Sequence, residues 1–275
     1  MNSKRGQLTI IIIIAVIIVA LGLLTYFLWP KISSALMSQD QASRVLSSQI
    51  EPLRQAVSDC VEEASIPAFE KMGLNSGYYD TTGLSTFYST GKNFIVVMYK
   101  DASKQRINKL PALNQIEEQY QVFLETEGNS QIDKCLNNFA SFKRNMDIEV
   151  SPRIITPLIY NDVVVLSVDW PMKLSKKTIS DEAVQNINQK QVMLLIPLGY
   201  MWQTANKIVD CETQVDCTYE GIAWDQDNWN NPFRLQYITK EARNLNKDQV
   251  VFILESIPYR PNELPYQFNF AIDRT

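Results

Sequence analysis

The sequence predicts an α+β fold in which an N-terminal transmembrane helix and a helical stem precede an antiparallel sheet packed with helices. Residues 8–29 form one uninterrupted apolar run. Apolar residues then recur every three or four positions over 46–64 and again over 113–139, which is the spacing of a helix face. In other stretches apolar and polar residues alternate, or β-type residues are dense, which predicts strands. Strands that are grouped apart from helices along the chain indicate the α+β class.

Length, charge and composition restrict the possible functions. The chain has 275 residues, so about 245 follow the apolar segment, which is enough for one large domain or two small ones. The net charge is −4 and no long basic run lies outside the N-terminus, so we expect no nucleic-acid partner. The sequence contains no histidine, which excludes Ser-His-Asp and Cys-His catalysis within one chain.

The first element is a predicted transmembrane helix from Leu8 to Trp29, which contains 22 residues and no charge. A helix of this length reaches roughly 33 Å, enough to cross the hydrocarbon core of a bilayer. Tyr26 and Trp29 lie at its distal end, where aromatic rings favour the membrane interface. Later apolar runs are too short to span, so we expect a single-pass protein with the lipid bilayer as its partner.

Charges beside the span predict its orientation. Lys4 and Arg5 precede the span, and the first positive residue after it is Lys31. The positive-inside rule places residues 1–7 in the cytoplasm and the rest of the chain outside the cell membrane. A cleaved secretory signal is the alternative, but the apolar run exceeds the 7–15 residues of a signal h-region. A retained anchor is therefore favoured.

The tail reads Lys-Arg-Gly-Gln and abuts the apolar run directly. It resembles the class III signal peptides of archaea, which prepilin and archaellin-type proteins carry. The resemblance covers about 25 residues and implies cleavage between Gly6 and Gln7, with the apolar segment kept as a membrane or filament helix. Pilin-like subunits usually have Glu as the fifth mature residue, where this chain has Ile11. The resemblance therefore implies membrane anchoring more directly than filament assembly.

Residues 30–51 are polar, rich in Ser and Gln, and predict a helical stem. Pro52 suits the first turn of a new helix or a kink, and residues 52–275 form the predicted extracytoplasmic domain. One helical face is marked by Leu46, Leu53, Val57, Cys60 and Ala64. A helix packed on its own domain is the favoured interpretation. The alternative is a coiled-coil stem, with self-association through the stem and the transmembrane helix.

The next elements follow from local patterns. Gly77 to Lys100 predicts two or three antiparallel strands, and 111–142 predicts helices with a break near Gly128. Two strands, Arg153–Tyr160 and Val163–Trp170, flank a two-residue Asn-Asp turn, which predicts a hairpin. Residues 181–208 are predicted to be mostly helical, with interruptions at Pro197 and Gly199. The last predicted elements are a strand or short helix over Leu235–Thr239 and the strands Gln249–Ile257 and Tyr266–Asp273.

Four cysteines in an outward-facing domain predict two disulfides. Cys211 and Cys217 flank a short polar turn, so a local bridge between them is geometrically easy. Cys60 and Cys135 remain, each on the apolar face of a predicted helix, and their bridge would join the two helices. Free buried thiols are the alternative. A zinc site is disfavoured, because the close cysteine spacing of such sites and histidine are both missing.

The segment from Ser89 to Lys92 matches Ser-x-x-Lys, the pattern of serine acyl-enzymes with a lysine base. That chemistry requires the serine at the start of a helix, so that the lysine one turn later reaches its hydroxyl. Here the motif lies between two predicted strands, and Gly91 precedes the second one. We therefore interpret it as a turn and not as a catalytic pair.

The densest polar cluster surrounds residues 225–231, where Asp225 and Asp227 alternate like calcium ligands. The glycine and glutamate of an EF-hand are missing, so a hydrogen-bonded surface turn is favoured over a loose calcium loop. Nearby aromatic residues would bind sugars by stacking if they were exposed, although packing is the favoured role. These residues are Tyr219, Trp224 and Trp229.

Together these patterns predict a membrane-anchored surface protein with a structural, adhesive or pilus-like role. The sequence is more consistent with a protein that is not an enzyme, and we expect it to bind no cofactor and no metal. Two other classes stay open. One is an extracytoplasmic hydrolase or a sugar-binding module, and the other is an accessory subunit of a membrane or secretion complex.

Overall fold

A computed structural model of the protein describes residues 39–89, 91–144, 146–175, 185–187, 190–213, 233–238, 249–256 and 265–274. They form helices and three sheets, which confirms the predicted α+β class. Within these ranges no helix has both the length and the apolar character that crossing a bilayer requires. The predicted span Leu8–Trp29 lies outside the described residues.

The helical elements are α1 (Gln39–Leu74), α2 (Leu113–Phe123), a π-helical segment (Leu124–Gly128), α3 (Asn129–Leu136) and α4 (Leu198–Glu212). The first six strands are β1 (Thr86–Ser89), β2 (Lys92–Lys100), β3 (Arg106–Asn108), β4 (Asp147–Val150), β5 (Ile154–Ile159) and β6 (Val164–Asp169). The others are β7 (Met172–Ser175), β8 (Gln185–Ile187), β9 (Lys190–Leu194), β10 (Phe233–Ile238), β11 (Gln249–Ser256) and β12 (Gln267–Asp273).

The described residues fall into two compact units. The smaller unit includes the described residues 39–53, 139–144, 146–151, 171–175 and 185–187. Its sheet has the order β4-β7-β8, and both of its pairings are antiparallel. The larger unit includes the chain from Arg54 to Asn138 and most of the remaining strands.

Helix α1 runs through Pro52 without interruption. The predicted face is buried at Val57, Cys60 and Ala64 within the single chain, which favours packing on its own domain over a coiled coil. The end of the helix lies against β12. Ser76 Oγ donates to the carbonyl of Asn269 at 2.7 Å, and the Tyr266 hydroxyl donates to the carbonyl of Phe69 at 3.0 Å.

The largest sheet has the order β1-β2-β12-β11-β10, with β3 also paired to β2. Both of its faces are apolar. Phe252 and Phe270 are direct partners across β11 and β12 and stack at 4.9 Å. On the other face Phe94 and Val251 belong to one buried cluster. A strand with two covered faces is expected to be densely apolar, as Gln249–Ser256 is.

A separate three-stranded sheet has the order β5-β6-β9. Strands β5 and β6 form the predicted hairpin, because Ile159 is the partner of Val164 and the Tyr160 N–H donates to the Val163 carbonyl at 2.9 Å. The hairpin prediction is therefore confirmed. Only one face of this sheet is buried: Val164, Leu166 and Val168 are enclosed, whereas the intervening residues are half-buried.

The predictions of secondary structure are wrong in two regions, around Gly128 and within 181–208. The helix does not break at Gly128, because a π-helical segment carries it into α3. A Cβ at Gly128 would lie 2.6 Å from the Phe123 ring, so this glycine gives that ring space. Within the predicted helical region 181–208, residues 185–187 and 190–194 form the strands β8 and β9, and Gly199 lies inside α4 without interrupting it. Pro197 immediately precedes α4 and does not interrupt it.

The prediction of one antiparallel sheet is also incomplete. Most pairings are antiparallel, but β2 and β12 are parallel neighbours, with Val96 opposite Ala271. The described strands form three sheets and not one. The region from Leu235 to Thr239, which the sequence leaves as strand or short helix, contains strand β10 as far as Ile238.

Candidate functional site

Several residues singled out in the sequence lie outside the described part of the chain. These are the processing residues Gly6 and Gln7 and the possible ligand-binding residues Tyr219, Trp224, Asp225, Asp227 and Trp229. Their proposed roles stay predictions. The described residues contain Ser89, Gly91 and Lys92 of the Ser-x-x-Lys motif, three of the four cysteines and two surfaces that the sequence did not reveal.

Ser89, Gly91 and Lys92 of the Ser-x-x-Lys motif lie in a β-hairpin, as predicted. Ser89 ends β1, Lys92 begins β2, and the two residues are cross-strand partners. Gly91 has a φ of +81°, a value that suits glycine in a tight turn. Ser89 is buried and Lys92 is exposed. This strand-turn-strand geometry is not the helical one in which a lysine activates a serine one turn earlier.

A disulfide joins Cys60 on α1 to Cys135 on α3, with a Cα–Cα distance of 5.6 Å. The predicted pairing is therefore confirmed. Cys211, near the end of α4, is also disulfide-bonded. Its predicted partner Cys217 lies outside the described residues.

A polar depression of about 590 Å³ lies on the surface of the π-helical segment and α3. Its described lining residues are Glu125, Thr126, Asn129, Ser130, Asp133, Lys134, Asn137 and Asn138. Asn137 and Asn138 have φ values of 45° and 51°. Asparagine tolerates this left-handed conformation better than most residues, and the turn ends α3 beside the depression.

Arg153 fixes the side chains on one side of this depression. Its guanidinium donates to Asn129 Oδ1 at 2.6 Å, to the Asn129 carbonyl at 2.6 Å and to Asp133 Oδ1 at 2.7 Å. The guanidinium also lies 4.6 Å from the centroid of the Trp170 ring. Asn129 and Asp133 are therefore held by a structural arginine.

The chemistry of the depression is hydrogen bonding. Its described lining residues offer amides, hydroxyls, two carboxylates and one ammonium group, and none of them is aromatic. Its described lining therefore offers no stacking surface of the kind expected of a carbohydrate site. Among the residues that the structure describes, no group of three or more Cys, Asp or Glu is placed to hold a metal ion.

Tyr79 lies between α1 and the π-helical segment. Its hydroxyl donates to Glu127, its ring meets Phe123 edge-on at 5.4 Å, and Lys71 Nζ lies 3.7 Å from its centroid. Burial raises the pKa of Tyr79 to about 12, and the hydrogen bond to Glu127 and the negative charge of Glu127 act in the same direction. The hydroxyl is therefore a permanent donor at neutral pH, as a structural tyrosine requires.

The second surface is the open face of the β5-β6-β9 sheet, which we call the apolar sheet face. It consists of Leu158, Tyr160, Val163, Val165, Met193 and Leu195. Met193 is 66% exposed and Leu195 is 58% exposed. Contiguous apolar surface of this kind typically marks an interaction site. The sequence did not reveal it because 190–195 were interpreted as helical, although exposed Gln191, Met193 and Leu195 alternate with buried Val192 and Leu194.

No protein-family model, no curated protein and no solved structure matches this chain.

Proposed function

We propose that the chain is a membrane-anchored surface protein whose disulfide-bonded α+β domain lies outside the cell and has a structural, adhesive or pilus-like role. The observation that carries the proposal is the segment from Lys4 to Trp29, where a basic Gly-Gln motif is followed by 22 residues without charge. A segment of that length suits a bilayer. By its class III resemblance, processing would begin the mature chain at Gln7 and leave the anchor in place.

The Cys60–Cys135 disulfide supports the outward orientation. Structural disulfides persist in oxidising compartments and are rare where cytosolic reductants act. This bridge joins two cysteines that are 75 residues apart in sequence, so it constrains a large part of the domain. Cys211 is disulfide-bonded as well, which supports the same compartment.

The order of elements along the chain supports a tether followed by a stem. Only residues 30–38 separate the predicted span from α1, which then continues for 36 residues to Leu74. The described side chains of α1 before Pro52 are exposed or half-buried. Residues 39–51 would then form the part of the predicted stem that leads from the membrane into the domain.

The proposal is tested by treating intact cells with a membrane-impermeant protease and detecting the chain with antibodies against its C-terminal strands. An outward domain loses the C-terminal epitope while the cells remain intact, and a cytoplasmic reporter protein serves as the control. Protection of the epitope until the cells are lysed would contradict the orientation. Purification in mild detergent then separates the roles, since filaments of this chain indicate a pilus-like role and a fixed partner indicates an accessory subunit.

A further inference from the structure

The two cysteines of the Cys60–Cys135 disulfide differ in their exposure to solvent. Cys60 is 6% exposed, whereas Cys135 is an exposed residue. The buried face of α3 is formed by Ile132 and Leu136, and Cys135 lies outside it. The bridge therefore leads from the buried side of α1 to the surface of α3.

A carboxylate lies against the exposed end of the bridge. Glu63 Oε2 is 3.6 Å from Cys135 Sγ. A disulfide sulfur carries no proton, so this is a contact of a negative charge with the sulfur and not a hydrogen bond. Glu63 follows Cys60 by three positions on α1, which is the spacing of neighbours on one helix surface. Among the described residues, Glu63 is the charged group that contacts this sulfur.

The helix end adds a second source of negative potential. Cys135 is in the last turn of α3, which ends at Leu136, and the C-terminal end of a helix carries a partial negative charge. Lys134, the neighbouring cation, lines the polar depression, and Cys135 does not. An approaching anion is therefore disfavoured at the exposed sulfur, most strongly where Glu63 touches it.

The chemistry open to an exposed disulfide is thiol–disulfide exchange. An external thiolate attacks Cys135 Sγ and forms a new S–S bond there. The bond to Cys60 breaks, and the Cys60 sulfur leaves with the electron pair and takes a proton from water. A second thiolate then attacks the external sulfur and releases Cys135. In sum, two external thiols become one disulfide, and the bridge gains two electrons and two protons.

Access determines which sulfur is attacked. The ability to leave favours the opposite course, because a Cys135 thiolate would be better solvated than a Cys60 thiolate and would leave more readily. However, attack requires an approach to the sulfur itself, and Cys60 is buried while the domain stays folded. The first mixed disulfide is therefore expected on Cys135.

We propose that Cys135 is a thiol-exchange site of the folded domain, and that Glu63 selects among external thiols by their charge. A thiol that carries an ammonium group reacts readily, whereas a thiol that carries a carboxylate is slowed. This inference concerns the described domain and goes beyond its proposed surface role. It stands whether or not the membrane anchor is retained.

Mapping of the mixed disulfide tests the site of attack. The full chain in mild detergent is treated briefly with excess cysteamine and quenched with acid. Free thiols are then alkylated under denaturing conditions, and the peptides are identified by mass spectrometry. We expect cysteamine on Cys135 and the alkyl group on Cys60, and peptide identity separates both from products at Cys211. The reverse pattern, with cysteamine on Cys60, would overturn the proposal.

Rates of bridge opening test the role of Glu63. Cysteamine, whose ammonium offsets its thiolate charge, is compared with thioglycolate, which adds a carboxylate, at equal thiolate concentrations. Glu63→Gln should lower the ratio of the cysteamine rate to the thioglycolate rate by about threefold at low ionic strength. High salt should lower the ratio of the native chain in the same direction.

Glu118→Gln is the matched control, because Glu118 is exposed on α2 and its substitution removes the same charge. This variant should keep the ratio of the native chain. An unchanged ratio in Glu63→Gln would overturn the proposal, and so would an equal fall in Glu118→Gln. A bridge that resists both thiols until the domain unfolds in denaturant would overturn it as well.

Discussion

The hydroxyl of Tyr120 donates a hydrogen bond to the hydroxyl of Ser65 across 2.7 Å in the core of the larger unit. The direction follows because Ser65 donates its single proton to the Val61 carbonyl at 2.6 Å. Both Ser65 and Tyr120 are fully buried, and the Tyr120 ring stacks on Phe69 at 4.9 Å. This bond is therefore a specific polar connection between α1 and α2 within an apolar environment.

Replacing Tyr120 with Phe should lower the free energy of unfolding by about 1 kcal/mol, because the variant keeps the ring and loses one buried hydrogen bond. Burial raises the pKa of Tyr120, so the donor is present at every pH near neutrality. Tyr88→Phe is the control: Tyr88 is 68% exposed, and its change should stay within roughly 0.5 kcal/mol. Denaturant unfolding of the full chain in detergent measures both, and equal effects would contradict this role.

Removing the disulfide with the double substitution Cys60→Ser and Cys135→Ser should lower the free energy of unfolding by about 2–5 kcal/mol. The loop closed by the bridge spans 75 residues, and its closure restricts the unfolded chain. The double variant avoids leaving one reactive thiol. Reductant should destabilise the native chain by at least this amount, because it also opens the disulfide of Cys211. If the native chain and the double variant unfold at the same denaturant concentration, the bridge does not stabilise the domain.

Gly73→Ala should destabilise the domain by about 2 kcal/mol or more, because a Cβ at this position would lie 2.2 Å from the Gln267 carbonyl and would force α1 away from β12. Gly91→Ala is the comparison. Its φ is positive but no atom lies within 4 Å of the added carbon, so only backbone strain of about 1–2 kcal/mol is expected. Thermal unfolding of both variants measures the two losses of stability. A smaller loss for Gly73→Ala than for Gly91→Ala would contradict the close packing of α1 against β12.

Stability should fall between about pH 10 and pH 12 as the tyrosines titrate. The pKa of Tyr79 is raised from 10.0 to about 12 by burial and by Glu127, so the folded state holds a proton that the unfolded state releases above pH 10. Below pH 10 this group contributes no pH dependence, and above it the free energy of unfolding decreases. Tyr79→Phe should make this decrease less steep. The free energy of unfolding of the native chain and of Tyr79→Phe, measured at pH 9, 10.5 and 11.5, tests this prediction. Identical slopes of that free energy against pH in the two proteins would disprove the assignment to Tyr79.

The two ion pairs Arg153–Asp133 and Lys173–Glu149 should differ in energy. The Arg153 side chain is 10% exposed and makes three hydrogen bonds, so Arg153→Lys should cost about 2 kcal/mol by losing its fork geometry. Lys173 and Glu149 are 50% and 73% exposed and 3.6 Å apart. Lys173→Ala should cost less than about 1 kcal/mol. Equal losses in urea unfolding would refute this distinction.

Local patterns in the sequence were sufficient for the elements that depend on neighbouring residues. The β5–β6 hairpin follows from a two-residue turn between alternating strands, and its register agrees with the structure. The Cys60–Cys135 bridge could be predicted because Cys211 and Cys217 are close enough in sequence for a local bridge, which leaves these two cysteines on separate predicted helices. The turn at Gly91 could be predicted because glycine precedes a dense β-type run.

Pairings between distant segments could not be predicted in this way. Strand β2 lies beside β12 although more than 160 residues separate them, and no local pattern encodes a parallel neighbour. Gly128 suggested a helix break, whereas its role is to make room for the Phe123 ring. The exposed face that contains Met193 depends on the strand order β5-β6-β9, so it becomes visible only once that order is known.

The most direct test of the central claim is the N-terminal sequence of the mature protein isolated from membranes. A retained, prepilin-type anchor predicts a chain that begins at Gln7 and sediments with the membrane fraction after a high-salt wash. A start near Leu36 in a chain released from the membrane would show that the apolar segment is removed. That result would contradict the anchored surface protein proposed here.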